Sequence, residues 1–161
     1  MRRIRMWGLL AAFLLAASAP AAADVTIDAA NFPDAVFRGH VKTNWDSDHD
    51  RTLSDAEIVA VDSADVYSKG IRSLKGIEYF TSLEELRCDG QELTALDVSG
   101  CTALETLVCS SNQLTALDVS GCAVLKTLEC EKNQLTTLDL SRNTVLENLQ
   151  CDINSLTTLN V

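Results

Sequence analysis

Three aspartates at alternate positions have the spacing of a site for a divalent cation. Asp46, Asp48 and Asp50 occupy the first, third and fifth positions of the twelve-residue segment DSDHDRTLSDAE. Ca²⁺ takes six to eight oxygen ligands, and carboxylates at alternate positions of a loop can converge on one ion. The segment 46–57 is therefore predicted to be a calcium-binding loop. Its six predicted ligands are Asp46, Asp48, Asp50, Thr52 through its carbonyl, Ser54 and Glu57.

The spacing resembles that of an EF-hand loop, with one departure. Arg51 occupies the sixth position, where EF-hands place a glycine with positive φ. A side chain there costs about 1–2 kcal/mol and brings a positive charge near the ion. We therefore expect calcium to bind weakly, and the alternative is an acidic loop that holds no ion. Dockerins carry this loop type twice, whereas this sequence carries it once.

Helices are predicted on both sides of the loop. Phe37, Val41 and Trp45 follow the four-residue spacing of a helix, and the Ser54-x-x-Glu57 pattern resembles a capping box at the start of a second helix. Residues 24–60 are thus interpreted as a small helical cap, since a solenoid needs a terminal unit with a polar outer face.

The proposed role of the ion is to stabilise this cap. Asp46→Ala and Glu57→Gln are therefore expected to lower the melting temperature only when calcium is present.

From residue 83 onward the sequence repeats every 21 residues. Four blocks begin at Leu83, Leu104, Leu125 and Leu146 and share the pattern L-x-x-L-x-C-x-x-N-x-L, with Gln91 replacing the first Asn. Apolar residues recur at the first, fourth, sixth, eleventh, fourteenth and sixteenth positions, so each block can bury them only against its neighbours. The alternation near the start of each block predicts a short strand, and stacking these strands in parallel gives a solenoid.

The blocks resemble the bacterial 21-residue leucine-rich repeat class, LxxLxCxxNxLxxLDVSxxxx. This resemblance covers residues 83–161, where the last repeat is incomplete. A degenerate 22-residue repeat over 61–82 precedes them, and its segment IRSLKGIEYFTSL is similar to internalin-like repeats. The resemblance implies an α/β solenoid of short parallel strands behind the helical cap, and a function in binding rather than catalysis.

The six cysteines occupy two repeated positions, which the solenoid would bury. We predict free thiols, because side chains in register run parallel and hold their Cβ atoms too far apart for a relaxed disulfide. A disulfide framework is the alternative that an even number of cysteines suggests in an exported chain. The first row is Cys88, Cys109, Cys130 and Cys151, and the second is Cys101 and Cys122.

Two polar rows accompany the cysteines. Asn112, Asn133 and Asn154 are interpreted as buried amides that satisfy backbone groups in the turns. Asp97, Asp118 and Asp139 either accept hydrogen bonds from the backbone or the nearby threonines, or line a cation site.

Outward side chains of the predicted strands form the candidate partner-binding surface. A carboxylate pair within it, Glu129 and Glu131, is the feature that a glycan-acting enzyme would use, although it is also ordinary surface charge. The twelve predicted residues are Glu85, Arg87, Asp89, Thr106, Val108, Ser110, Thr127, Glu129, Glu131, Asn148, Gln150 and Asp152.

The first 23 residues have the features of a secretory signal peptide. Three arginines precede an apolar run and an Ala-x-Ala ending, and the run is too short to span a membrane. We expect export, with the periplasm, the cell surface and the medium as possible destinations. From Asp24 onward the chain carries 10 basic and 23 acidic residues, a formal charge of −13. That charge disfavours nucleic acids and anionic membranes as partners.

These features predict a secreted or surface leucine-rich repeat module that binds a protein or glycan. One alternative is the N-terminal recognition or spacer arm of a longer surface protein, and a glycan-acting enzyme is a weaker one. The last block stops at Val161 with no pattern typical of a C-terminal cap. This favours a longer natural chain, or self-association through the uncapped end.

Overall fold

A computed structural model describes residues 24–67 and 70–161, so the predicted signal peptide lies outside the described part. Within that part, no helix has the length and apolarity needed to cross a bilayer. The elements in chain order are β1 (Val25–Thr26), α1 (Ala35–Asn44), β2 (Thr52–Leu53), α2 (Asp55–Val59), β3 (Ser63–Asp65), a 3-10 turn (Ile77–Tyr79), β4 (Glu85–Arg87), β5 (Thr106–Val108), β6 (Thr127–Glu129), β7 (Thr137–Asp139), β8 (Asn148–Gln150) and β9 (Thr158–Asn160).

The two helices of the cap begin at polar capping residues. The Asp34 carboxylate accepts hydrogen bonds from the first backbone N–H groups of α1, and this helix buries Phe37 and Val41. At the start of α2, Ser54 and Glu57 form the capping box that the sequence pattern indicates. Each cap satisfies N–H groups that have no partner within the helix.

A short antiparallel pair, β1 with β2, closes the cap loop. Val25 lies opposite Leu53, and the Ile27 N–H donates to the Arg51 carbonyl at 2.9 Å. The chain just before α1 thus braces the loop from one side. The cap is continuous with the solenoid core, because the Trp45 ring packs edge-on against Phe80 with centroids 4.6 Å apart.

The solenoid is a five-stranded parallel sheet in the order β3-β4-β5-β6-β8. Inward residues stack in register, beginning with Ala64 opposite Leu86, and the leucines at this position are buried until the last strand. Successive pairs are offset by 21 residues, whereas β3 and β4 are offset by 22. A smaller parallel pair, β7 with β9, forms on the far side of the coil. The predicted leucine-rich repeat solenoid is confirmed.

The residue two positions after the strand-end cysteine adopts left-handed backbone in each of the four blocks of the repeat. Its φ is 65° at Gly90, 55° at Ser111, 54° at Lys132 and 54° at Ile153. Residues other than glycine pay about 1–2 kcal/mol for this conformation. Three of the four turns are therefore held by contacts made elsewhere in the repeat.

Gly100 shows where the degenerate first repeat crowds its neighbour. A Cβ added there would lie 1.9 Å from the Glu78 carbonyl oxygen in the 3-10 turn. One repeat later, a Cβ on Gly121 would lie 3.0 Å from the Ser99 carbonyl oxygen, and the next equivalent position already carries Arg142. The space at this position thus widens along the stack.

Candidate functional site

The predicted calcium loop brings three carboxylates together. Asp46, Asp48 and Asp50 each place an oxygen within 4.8 Å of the others. Asp46 is 1% exposed, and its Oδ2 accepts a hydrogen bond from the Arg51 N–H at 3.2 Å. Its Oδ1 is buried and has no hydrogen-bond partner within residues 24–67 and 70–161. A buried carboxylate oxygen without a partner is costly, and an ion would supply what the protein does not.

The sixth loop position has the backbone that glycine normally provides. Arg51 has φ of 73° and His49 has φ of 62°, so both are in the left-handed region. At this position the loop therefore has the backbone conformation of an EF-hand, and the departure from the EF-hand pattern lies in the side chain of Arg51. Thr52 is locked in place, since its N–H and hydroxyl donate to Asp50 at 2.7 and 2.6 Å.

Glu57 is not one of the clustered carboxylates, and both of its oxygens accept hydrogen bonds from serines. Its Oε1 accepts from the Ser47 N–H at 2.6 Å and the Ser47 hydroxyl at 2.7 Å, and its Oε2 accepts from the N–H and hydroxyl of Ser54. These bonds, led by the one from the Ser54 backbone, hold the pKa of Glu57 at about 2. The structure therefore brings together three of the six predicted ligands, while Ser54 and Glu57 form the capping box.

The predicted partner-binding residues lie on one side of the five-stranded sheet, which we call the sheet face. Two of them are less accessible than the outward pattern predicts, because Val108 is 5% exposed and Ser110 is 6% exposed. Val108 is flanked in register by the longer side chains of Arg87 and Glu129. Ser110 donates its hydroxyl to Glu131 at 2.7 Å. Both side chains therefore pack within the sheet face and offer little accessible area to a partner.

Two basic residues on and beside the sheet face form salt bridges with carboxylates. Arg87 Nε donates to Glu85 at 2.6 Å, and Lys126 Nζ lies 2.8 Å from Glu105. Hydrogen bonding to Glu85 raises the pKa of Arg87. The carboxylates left over, among them Glu129 and the exposed Asp152, give this surface a net negative charge.

The first strand adds two residues to the sheet face that sequence reasoning missed. Asp65 pairs in register with Arg87, so it extends the second outward row by one strand. Tyr67 lies two residues later, just beyond the strand, and is 55% exposed. The degenerate repeat over 61–82 could have identified them. That repeat was recognised from the sequence, but its outward residues were not assigned.

The asparagine row is structural, as predicted. Asn133 donates through Nδ2 to the carbonyls of Cys109 and Cys130 and accepts the Leu114 N–H through Oδ1 at 3.0 Å. Asn112 and Asn154 repeat this pattern, and Gln91 donates to the Val66 carbonyl in the first repeat. The aspartate row accepts from serine N–H groups two residues later, so the threonines predicted as donors are not its partners.

The cysteines line the solenoid core as unpaired thiols in the described residues, five of them buried and Cys151 partly so. Burial raises the pKa of Cys101 and Cys130 to about 12 and that of Cys122 to about 11. Such thiols stay protonated at neutral pH and do not act as nucleophiles. Asn143 occupies the next position of the shorter row and donates to the Val119 and Cys122 carbonyls.

Known structures with a fold similar to that of this chain include internalins. No protein-family model matches the chain, and no curated protein matches it. The functional domain of InlJ from Listeria monocytogenes, which includes a cysteine ladder, is 36% identical, with a TM-score of 0.76 over 85% of this chain. This chain spans 30% of that protein's length.

Two further internalins of the same organism share the fold at lower identity. InlF is 22% identical with a TM-score of 0.58, covering 83% of this chain and 47% of its own. Internalin C2 is 23% identical with a TM-score of 0.56, covering 88% of this chain and 80% of its own. The chain therefore has the leucine-rich repeat architecture that these internalin structures share.

Proposed function

We propose that this chain is an exported leucine-rich repeat module that binds a basic protein through its sheet face. The observation that carries the proposal is the charge of that face. Arg87 and Lys126 form salt bridges with Glu85 and Glu105, and among the described residues no salt bridge reaches the other carboxylates of the face. Complementary charge steers a basic partner to such a surface and disfavours acidic ones.

Tyr67 supports the proposal as an anchor at one end of the sheet face. It is an exposed aromatic beside the acidic rows, and tyrosine is enriched among residues that dominate binding energy. A protein partner fits this open surface better than a glycan, since small-ligand sites are concave and lined by aromatic groups. The similarity to internalin solenoids supports a repeat module of the same architecture.

We also propose that residues 1–23 direct export and that the cap of the module holds a calcium ion. Whether the destination is the periplasm, the cell surface or the medium does not change the binding proposal. Catalysis is not part of it. His49 lies exposed in the cap loop and His40 packs edge-on against Trp45, so neither adjoins Glu129 and Glu131.

A second candidate function is that of a recognition or spacer arm within a longer surface protein. The observation that favours it is the InlJ comparison, in which this chain corresponds to 30% of the other protein. Reading the genomic sequence beyond the codon for Val161 distinguishes the two. A continuing reading frame with an anchor or further domain supports the arm, and a stop codon supports the free-standing module.

Peptide selection from a random display library tests the binding proposal. We expect peptides selected on the chain from Asp24 onward to be richer in Lys and Arg than the unselected library. The double variant Glu129→Gln/Asp152→Asn should weaken the best peptide about tenfold, because each lost contact contributes about 0.5–1 kcal/mol.

The matched control moves the same charge to another surface. Gln113→Lys/Gln134→Lys changes the net charge by the same two units, at exposed positions away from the sheet face, and should change affinity less than twofold. Selection of acidic or neutral peptides would contradict the proposal. So would equal weakening by both double variants, since that would reflect net charge rather than a surface.

A further inference from the structure

We propose that the loop Asp46–Glu57 is a calcium site whose last ligand, Glu57, is held in reserve by Ser47. The inference rests on the calcium part of the proposed function and is independent of the partner. The ion is identified as Ca²⁺ from the chemistry of the predicted donor atoms, which are all oxygens. Hard oxygen donors without nitrogen or sulfur favour Ca²⁺ over zinc or copper, and the number of carboxylates favours it over Mg²⁺, which usually binds through one or two.

The cluster of three carboxylates has the charge and donor atoms that fit a cation. Three carboxylates would repel each other within 4.8 Å unless a cation or a proton compensates them. The buried Asp46 Oδ1 is the decisive atom, because Asp46 belongs to this cluster and its Oδ1 has no hydrogen-bond partner among the described residues. Asp48 and Asp50 are exposed, which gives an ion access from solvent.

Glu57 is held by hydrogen bonds from two serines, Ser47 and Ser54. Its Oε1 is bound to Ser47, the residue next to Asp46 in the sequence, so a single residue links the Glu57 carboxylate to the cluster. Its Oε2 is bound to Ser54 in the capping box. Releasing Ser47 frees one oxygen for the ion and leaves the helix cap intact. In the described geometry, Ser47 and an ion therefore compete for the same oxygen.

A consequence is that the serine tunes affinity. Ser47→Ala removes the hydroxyl that competes for Glu57, while the backbone N–H of residue 47 remains. We expect calcium affinity to rise about three- to tenfold, the effect of one lost hydrogen bond to a carboxylate. A purely structural role for Glu57 predicts no gain.

Terbium luminescence is the direct test. Tb³⁺ occupies calcium sites and is excited through a nearby tryptophan, and Trp45 is the sole tryptophan from Asp24 onward. It adjoins Asp46 in sequence. We expect saturable luminescence at one ion per chain, displaced by added Ca²⁺. Asp46→Asn keeps an acceptor for the Arg51 N–H and should weaken binding at least about tenfold, as should Asp48→Asn.

The controls separate the proposal from its alternatives. Asp152→Asn changes charge equally at the far end of the solenoid and should leave terbium binding unchanged. Absence of saturable luminescence, or equal losses in Asp46→Asn and Asp152→Asn, would overturn the site. Unchanged or weaker binding in Ser47→Ala would overturn the reserve role of Glu57. Because no partner is present, these outcomes do not depend on whether the sheet face binds a peptide.

Discussion

Replacing Asn133 with alanine is expected to lower the free energy of unfolding by about 3–5 kcal/mol. The substitution removes the acceptor for the Leu114 N–H and the donor to the carbonyls of Cys109 and Cys130, all inside the repeat. Buried backbone groups left without partners cost about 1–3 kcal/mol each. The adjacent Lys132 is held in left-handed backbone, and the loss of the amide removes part of what holds it there.

Urea unfolding followed by circular dichroism measures this effect against two comparisons. Gln134→Ala alters the exposed neighbour and should change stability by less than about 0.5 kcal/mol. Asn154→Ala removes the same amide where it is half-buried, so water replaces the lost partners and the expected loss is smaller, about 1–2 kcal/mol. Equal stability of the Asn133 and Gln134 variants would contradict a structural role for the asparagine row.

Glu57→Gln is expected to destabilise the protein by about 2 kcal/mol at neutral pH even without calcium. The carboxylate accepts four hydrogen bonds from Ser47 and Ser54, whereas the glutamine NH₂ cannot accept any. The sequence-based expectation that this variant matters only with calcium is therefore revised. The reason is that Glu57 already accepts hydrogen bonds in the capping geometry when no ion is bound.

The pH dependence of this effect follows from the pKa of Glu57. Folding lowers it from 4.5 to about 2, so the carboxylate stabilises the folded state above pH 4.5. That contribution disappears as the pH falls from about 4.5 through 2. The stability difference between wild type and Glu57→Gln should shrink over that range in calcium-free buffer. Glu84→Gln, an exposed control, should show no such trend, and a constant difference for Glu57→Gln would contradict the account.

The repeat architecture could be predicted because its signal is periodic. A 21-residue spacing allows each leucine only one repeated environment, and the structure stacks them in that register. The capping box could likewise be predicted, because it depends on residues three positions apart. Burial of Val108 and Ser110 could not, because it depends on which neighbours flank them across strands.

The candidate sites were predictable only in part for the same reason. Loop spacing indicated the cluster of Asp46, Asp48 and Asp50, whose positions are fixed by local backbone. It did not indicate that Glu57 would pair with Ser47, or that β1 would brace the loop. Both depend on competition between alternative partners in three dimensions. Tyr67 was missed because its repeat is degenerate.

We propose that calcium stabilises the cap, and that the stability of the repeat stack depends on the cap. Binding in the range of about 10⁻⁴–10⁻³ M would add about 1.4–2.7 kcal/mol at a concentration 10–100 times that of half-saturation. The most direct measurement is thermal unfolding of the chain from Asp24 onward, in about 10 mM calcium and in chelator. We predict a melting temperature about 3–10 °C higher with calcium, lost in Asp46→Asn. Superimposable unfolding curves for the wild type would contradict the claim.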